Sequence, residues 1–346
     1  MSGLRKLVGP RRSLFWAVGI ATVLGAGLCE GAESGDRPSI QYRIGAAGWF
    51  TEGTTKWDFN GSMPGSPFSN PTSRLTYKDV GTNIIDFTGQ AKLPNRLFVR
   101  VNGGYGGIGG GRLTDNDYLT ADGGQPSSST NSNISGDSVL YVNSDLGFTL
   151  VYFPGHRGTF DLFIGYQYRR EKHEANGLTQ VACTPAGATT VLDPGPPPQV
   201  LCNPGTPPSN YGRTVITNTQ TWNSLRLGAQ SEFRITRRFS IDGQAVFIPY
   251  TSLNNKDVHH LRSDLAQDPS IEMSGSGVGT NLEGSARFMV TKGLSAHVGY
   301  RYWWTQVTNG NITFFNADGT SSTINNGLTK FQNTRQGIFF GLDYTF

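Results

Sequence analysis

Residues 336–346 read QGIFFGLDYTF, and the order of side chains in this last stretch decides the fold. Ile338, Phe340, Leu342, Tyr344 and Phe346 recur at every second position, with Gly337, Gly341, Asp343 and Thr345 between them. A two-residue period puts the apolar set on one face of an extended strand and the polar set on the other. The same alternation sets Leu225, Leu227, Ala229, Phe233 and Ile235 against Arg226, Gln230, Glu232 and Arg234, and sets Phe239, Ile241, Ala245 and Phe247 against Ser240, Asp242 and Gln244.

Charges of both signs therefore share one side of the sheet. In a dry sandwich core each unpaired ion would cost several kcal/mol. A barrel lumen instead lets Asp161, Arg226, Glu232, Arg234, Asp242, Glu283, Arg287 and Arg301 pair or stay hydrated while the other face meets lipid. Beyond the N-terminal leader no apolar run approaches the roughly 18 residues of a helical span. A hydrophobic fraction of only 36% agrees, because each barrel strand needs apolar side chains on one face alone.

The alternation predicts an all-β, ten-stranded antiparallel transmembrane β-barrel, with strands at 38–60, 74–93, 96–107, 139–153, 159–178, 214–235, 238–253, 271–291, 294–310 and 329–346. Tight turns are expected at 93–95, 154–158, 236–237 and 291–293, and the other five connections are long and rich in Gly, Ser, Thr, Asn and Pro. Bacterial barrels keep short turns in the periplasm, so both termini are expected there and the five long loops outside the cell. Tyr166, Tyr168, Tyr300, Tyr302 and Trp304 fall where an interfacial aromatic girdle would lie. Phe346, ending the last strand, resembles the terminal assembly signal of outer-membrane proteins.

Residues 1–31 read as a secretory signal peptide, with Arg5, Lys6, Arg11 and Arg12 before the apolar run LFWAVGIATVLGAGL at 14–28. The mature chain, 32–346, is then one barrel domain of the cell outer membrane. Removing the four cations and Glu30 of the leader leaves 25 Lys and Arg against 24 Asp and Glu, a balance that gives no reason to expect nucleic acid as a partner. Cys183 and Cys202 bracket a Pro- and Gly-rich segment of an exported chain, so a disulfide between them is expected. With no His or further Cys nearby, they are not expected to hold a metal.

Two compact polar clusters could carry chemistry: Asp115-Asn116-Asp117, after the third strand, and Asp257-Val258-His259-His260, after the seventh. In extended backbone Asp115 and Asp117 share a face, as do Asp257 and His259, while His260 turns to the opposite side. Two close carboxylates oppose one another's ionisation and can hold a water between them. A carboxylate beside an imidazole fixes its tautomer and supports the imidazolium. Alternation counted from Phe239 sets Asp257 and His259 on the lipid-facing parity; a one-residue bulge at Pro249, which cannot donate to the ladder, would turn them inward.

The segments IGAAGWFTEGTTKWDF (44–59), GGGRLTDNDY (109–118), DLFIGYQYRREKHEA (161–175), SLNNKDVHH (252–260) and FFGLDYTF (339–346) resemble, in order and placement, the omptins. Omptins are ten-stranded outer-membrane endoproteases with an Asp pair and an Asp-x-His dyad across the barrel mouth. The resemblance implies an aspartate/histidine endopeptidase acting on peptide or protein substrates, with catalytic Asp115, Asp117, Asp257 and His259, an extracellular active site, and neither metal nor covalent intermediate. Where omptins carry acidic groups for a basic substrate side chain, this chain has Trp57 and Asn255, with Glu52 and Asp58 close by; an aromatic in place of a carboxylate favours an apolar or aromatic substrate side chain. The resemblance also implies no cofactor other than a dependence on lipopolysaccharide, an outer-membrane lipid. Tyr166 and Arg170 match two of its binding positions, Tyr168 replaces an acidic one, and Thr221 stands where an arginine is expected. The alternative is a non-enzymatic barrel, an adhesin or a narrow pore, in which both polar clusters are ordinary loop polarity.

Overall fold

The computed structural model describes residues 40–62, 69–118, 126–183, 190–193, 199–201 and 212–346. The expected leader lies outside them, as does Cys202; Cys183 is disulfide-bonded. The strands are β1 (Gln41–Phe59), β2 (Ser73–Lys92), β3 (Leu97–Asp117), β4 (Ser128–Ile134), β5 (Ser138–Tyr152), β6 (Gly158–Cys183), β7 (Thr190–Asp193), β8 (Gln199–Leu201), β9 (Thr214–Arg234), β10 (Phe239–His259), β11 (Ile271–Met289), β12 (Leu294–Phe315) and β13 (Ser321–Thr345).

Eleven of these form one antiparallel sheet closed on itself, in the order β2-β1-β13-β12-β11-β10-β9-β6, then β4 and β5, then β3, which returns to β2. Strands β7 and β8 form a separate ribbon. The count exceeds the expected ten because the connection before β5 contains β4. Strand β4 pairs with the upper parts of β3 and β6, and β5 pairs with their lower parts, so the two occupy one lane in succession. The lane breaks at Gly136 and Asp137, both at positive φ. The four expected tight turns link β2 to β3, β5 to β6, β9 to β10 and β11 to β12, all at one end of the barrel, where Tyr42 and Phe346 also hydrogen-bond through their backbones.

Strands β3 and β10 have 21 residues each, about twice the 9–11 that a tilted membrane strand requires. Both outrun the expected ends at 107 and 253, so the Asp115 and Asp257 clusters lie on strand ends rather than in loops. In β3 the run GGYGGIGGG hides the alternation. Glycine is required at Gly104, where a Cβ would come within 2.6 Å of the Tyr141 ring.

Large apolar side chains project outward near the short-turn end: Ile44, Phe50, Ile85, Phe87, Leu146, Leu162, Phe247, Leu282 and Phe340 are all exposed. This band is the lipid-facing surface of a membrane barrel. Beyond it the outward positions turn polar, as at Asn254 and Lys256 on β10.

Three levels fill the lumen. Nearest the short turns, its charges pair: Arg43 with Glu232 (2.9 Å), Lys92 with Asp161 (3.2 Å), Arg100 and Arg226 with Asp145 (2.6 and 3.1 Å), and Arg287 with Asp242 and Asp343 (2.9 and 2.6 Å). Above lies an aromatic layer in which Trp303 packs edge-on against Trp49 and Tyr141 at 4.9 and 4.8 Å. Arg301 sits 4.8 Å from the Trp49 ring and binds Asp86 and Glu283. Above that, the fully buried Glu171 accepts from Arg335 at 2.8 Å, and Asn333 links Thr55, Glu171 and Gln220.

Removing one partner of a buried ion pair leaves a charge with neither water nor counter-ion, at a cost of about 3–5 kcal/mol. Glu171→Ala is therefore expected to lower the unfolding free energy of the lipid-reconstituted barrel by about that amount, read as a drop in its urea midpoint. An unchanged midpoint would show that Arg335 does not depend on Glu171.

Candidate active site

The site begins with one extra residue in β10. Against β9, Phe247 faces Leu227 and Tyr250 faces Leu225; against β11, Ile248 faces Gly279 and Thr251 faces Gly277. In each case three steps on β10 meet two on its neighbour, which is a β-bulge, and it contains Pro249. Below the bulge the odd residues Ile241 and Phe247 are exposed; above it the even residues Asn254 and Lys256 are exposed, while Leu253, Asn255 and Asp257 are buried. The bulge expected at Pro249 is present and reverses the facing of the whole upper strand.

Asp257 enters the mouth in register with Asn218 of β9, which is in register with His173 of β6. The Asn218 amide donates to Asp257 Oδ1, and at 2.8 Å to Asn255 Oδ1. Burial pushes the Asp257 carboxyl up to about 7, although the two amides pull against it. On β3, Asp115 accepts a long hydrogen bond from Ser73 (3.5 Å). Burial first, then Asp117, then Asp257 hold the Asp115 carboxyl well above the usual range. Asp117 is crowded by the concave rim yet open to water, and its carboxyl is raised less far. Asp257 of β10 thus acts electrostatically on Asp115 of β3 across the mouth, although at least three strand lanes separate them either way round the ring.

His259 is half-buried; its backbone N–H donates to Ser270 Oγ at 2.9 Å, and its Nε2 is buried with no hydrogen-bond partner among the described residues. Burial, helped by Arg262 and His260, pushes its pKa down to about 3, so the imidazole is neutral near neutral pH. Among the described residues no hydrogen bond joins Asp257 to His259: Asn218 occupies Asp257 Oδ1, and Asp257 Oδ2 has no partner. His260 points away, exposed and bonded to Thr217 at 2.8 Å.

Trp57 and Asn255 are both buried on the inward face. Asp58 and Glu52 lie on the other face of β1, and Asp58 is bound to Arg74 at 2.8 Å, so neither supplies a carboxylate beside Trp57. Tyr166, Tyr168 and Arg170 face outward from β6. Thr221 lies directly beside Arg170 and Asn223 beside Tyr168, and the Tyr166 hydroxyl donates to Asn223.

Four contributors were missed in the sequence. Arg262 acts on Asp115, Asp117 and His259 from just beyond β10, and Ser73 touches the Asp pair. Tyr77 and His173 stack beneath the carboxylates with ring centres 5.2 Å apart. Alternation from Phe163 through Glu171 puts His173 inward, and alternation from Leu75 does the same for Tyr77; Ser73 and Arg262 carry no comparable signal.

A closed antiparallel barrel with an apolar outer band and an ion-paired lumen defines an outer-membrane β-barrel protein. The chain belongs to the Protochlamydia outer membrane protein (Pom) family, whose model matches residues 47–346. Its fold is similar to that of the outer membrane protease OmpT from Escherichia coli, with a TM-score of 0.70 and 16% sequence identity over 90% of this chain and all of that one. At that identity the omptin resemblance is one of fold. Two further matches superpose poorly: OprG of Pseudomonas aeruginosa (TM-score 0.31, 9% identity, 89% and 95% of the two chains) and a FadL homologue of the same organism (0.29, 10%, 89% and 90%). No curated protein matches the chain significantly in sequence.

Folded Asp257 ionises at about 7 against 3.8 for an ordinary aspartate, so burial favours its protonated form. The resulting contribution to stability is complete below the unfolded value and is lost as pH rises through about 7. Asp257→Asn is therefore expected to leave stability unchanged near pH 4 and to raise it by a few kcal/mol at about pH 8. A variant no more stable than the parent at about pH 8 would contradict the burial of this carboxylate.

Proposed function

We propose that this protein is an outer-membrane endopeptidase whose active site is the mouth at the long-loop end, facing outside the cell. The observation that carries the reading is that the ends of β3 and β10 bring Asp115 and Asp257 to one mouth, near enough for Asp257 to raise the Asp115 carboxyl, where His259 Nε2 is buried without a partner among the described residues.

In the mechanism His259, neutral and therefore able to accept, takes a proton from a water held with Asp115 and Asp117. The hydroxide oxygen bonds to the peptide carbonyl carbon, the C–N bond breaks, and the proton passes to the leaving amine. The raised Asp115 carboxyl lets the Asp pair share one proton and hold that water. Ionised Asp257 supports the imidazolium, and Arg262 offsets the negative charge of the pair. Catalysis therefore requires Asp257 ionised, and kcat/KM falls as pH drops through about 7.

Trp57 and Asn255 line the substrate cleft, and with Asp58 turned away they suit an apolar or aromatic side chain. Tyr166, Tyr168 and Arg170 bind outer-membrane lipid, the guanidinium gripping a phosphate of lipopolysaccharide. The aromatic layer of Trp49, Tyr141 and Trp303 across the lumen argues against a narrow pore.

Asp115→Ala and His259→Ala are each expected to reduce cleavage of a peptide library by about 100-fold or more while the barrel stays folded. Undiminished cleavage in either variant, or a folded, lipid-reconstituted parent that cleaves nothing and only adheres, would overturn the reading.

A further inference from the structure

Below Asp257 lies a buried tyrosine that the mechanism above does not use. Tyr77 is fully buried, its ring is held by the stack on His173, and its hydroxyl has no hydrogen-bond partner among the described residues. Asp257 Oδ2, also buried, has none either. Buried hydroxyls and carboxylates are nearly always hydrogen-bonded, through water where no side chain reaches. Tyr77 stacks on His173, which is in register with Asn218, the residue that binds Asp257; of the two unpartnered atoms the phenol can donate and the carboxylate can accept.

We propose that Tyr77 is a positioning residue of this site, its hydroxyl donating through one bound water to Asp257 Oδ2 and holding Asp257 ionised and aimed at the mouth. The inference rests on the peptidase reading for its consequence, but not for its geometry. Several features support it. Tyr77 lies on β2 one diagonal step from Asp115, since Leu75 faces Asp115 and Tyr77 faces Leu113. Burial first, then Asp257 and Asp115, hold the phenol's pKa well above the ordinary value, so the group remains a protonated donor. The stack on His173 fixes the ring, and His173 is in turn 3.7 Å from Glu171.

The charged and titratable groups around this spot are Asp115 and Asp117 on β3, Glu171 and His173 on β6, and His259 and Arg262 on and after β10; Lys56 and Asp58 of β1 face outward. Besides Tyr77, the neutral donors near Asp257 among the described residues are the Asn218 amide, which binds Oδ1, and the Asn255 amide. A donor to a carboxylate favours its charged form, so removing the hydroxyl makes Asp257 harder to ionise.

The test uses the full lipid-reconstituted barrel and two readouts. In Tyr77→Phe, which keeps the ring and its stack, the acidic limb of kcat moves up by about one pH unit. Near neutral pH kcat falls about tenfold with KM unchanged, and it recovers at higher pH. Tyr105→Phe, on the exposed outward face of β3, leaves the limb in place. Independently of activity, the protonated-carboxyl infrared band of Asp257, assigned by difference against Asp257→Asn, titrates at higher pH in Tyr77→Phe than in the parent. An unshifted band, a uniform loss of rate at every pH, or a Tyr77→Phe chain that fails to fold would each overturn the proposal. If Asp115→Ala still cleaves while the band shifts, the peptidase reading fails and Tyr77 stands; if Asp115→Ala is dead and the band is unmoved, the reverse holds.

Discussion

One inserted residue beside Pro249 governs everything built at the mouth. A strand has two faces, and a register slip of one sends every later side chain to the other. Without the bulge, Asn255 and Asp257 would point outward beside Phe247, and Asn218 would face no carboxylate. With it, the lower part of β10 presents Ile241 and Phe247 to lipid, and the upper part presents Leu253, Asn255 and Asp257 to the lumen. Proline suits the position because its missing N–H removes a ladder bond that the bulge breaks in any case.

The rest of the barrel gives that mouth a floor. Charges in the lower lumen are paired, so the lipid-embedded part carries its ions without exposing them to hydrocarbon. Above them the Trp49, Tyr141 and Trp303 layer, with Arg301 against its rings, closes the cross-section. The Glu171–Arg335 pair locks β6 to β13 just below His173. Burial then tunes the titratable groups at the mouth: it raises Asp115 and Asp257 and lowers His259, so the imidazole is neutral and the carboxyls hold protons more readily. The site stands beyond the apolar band because β3 and β10 are about twice as long as a membrane crossing needs.

Much of this is legible in the sequence. Alternation in residues 336–346 identified the barrel and its lipid-facing side, the tight turns located the end where they gather, and the conflict of parity at Asp257 pointed to Pro249. The omissions have physical causes. Strand β4, SSTNSNI, is too polar to show an apolar period, because it lies above the lipid and is held by the ends of β3 and β6. The alternation of β3 is masked by its glycine run, in which Gly104 makes room for the Tyr141 ring. Tyr77 and His173 lie far apart in sequence and meet only through ring closure, so no local pattern announces their stack. Likewise, the Asp257-x-His259 spacing suggests a direct dyad, whereas Asn218 from the next strand binds Asp257 Oδ1.

The most direct test of this account is a spin-label scan along β10 in lipid vesicles, reading at each position from 241 to 257 how far the label is exposed outside the barrel. Outward exposure is expected at 241, 243, 245 and 247, then at 250, 254 and 256, with 253, 255 and 257 shielded. An odd-numbered pattern that continued unbroken to 257 would place Asp257 on the outer surface and leave the mouth without its central carboxylate.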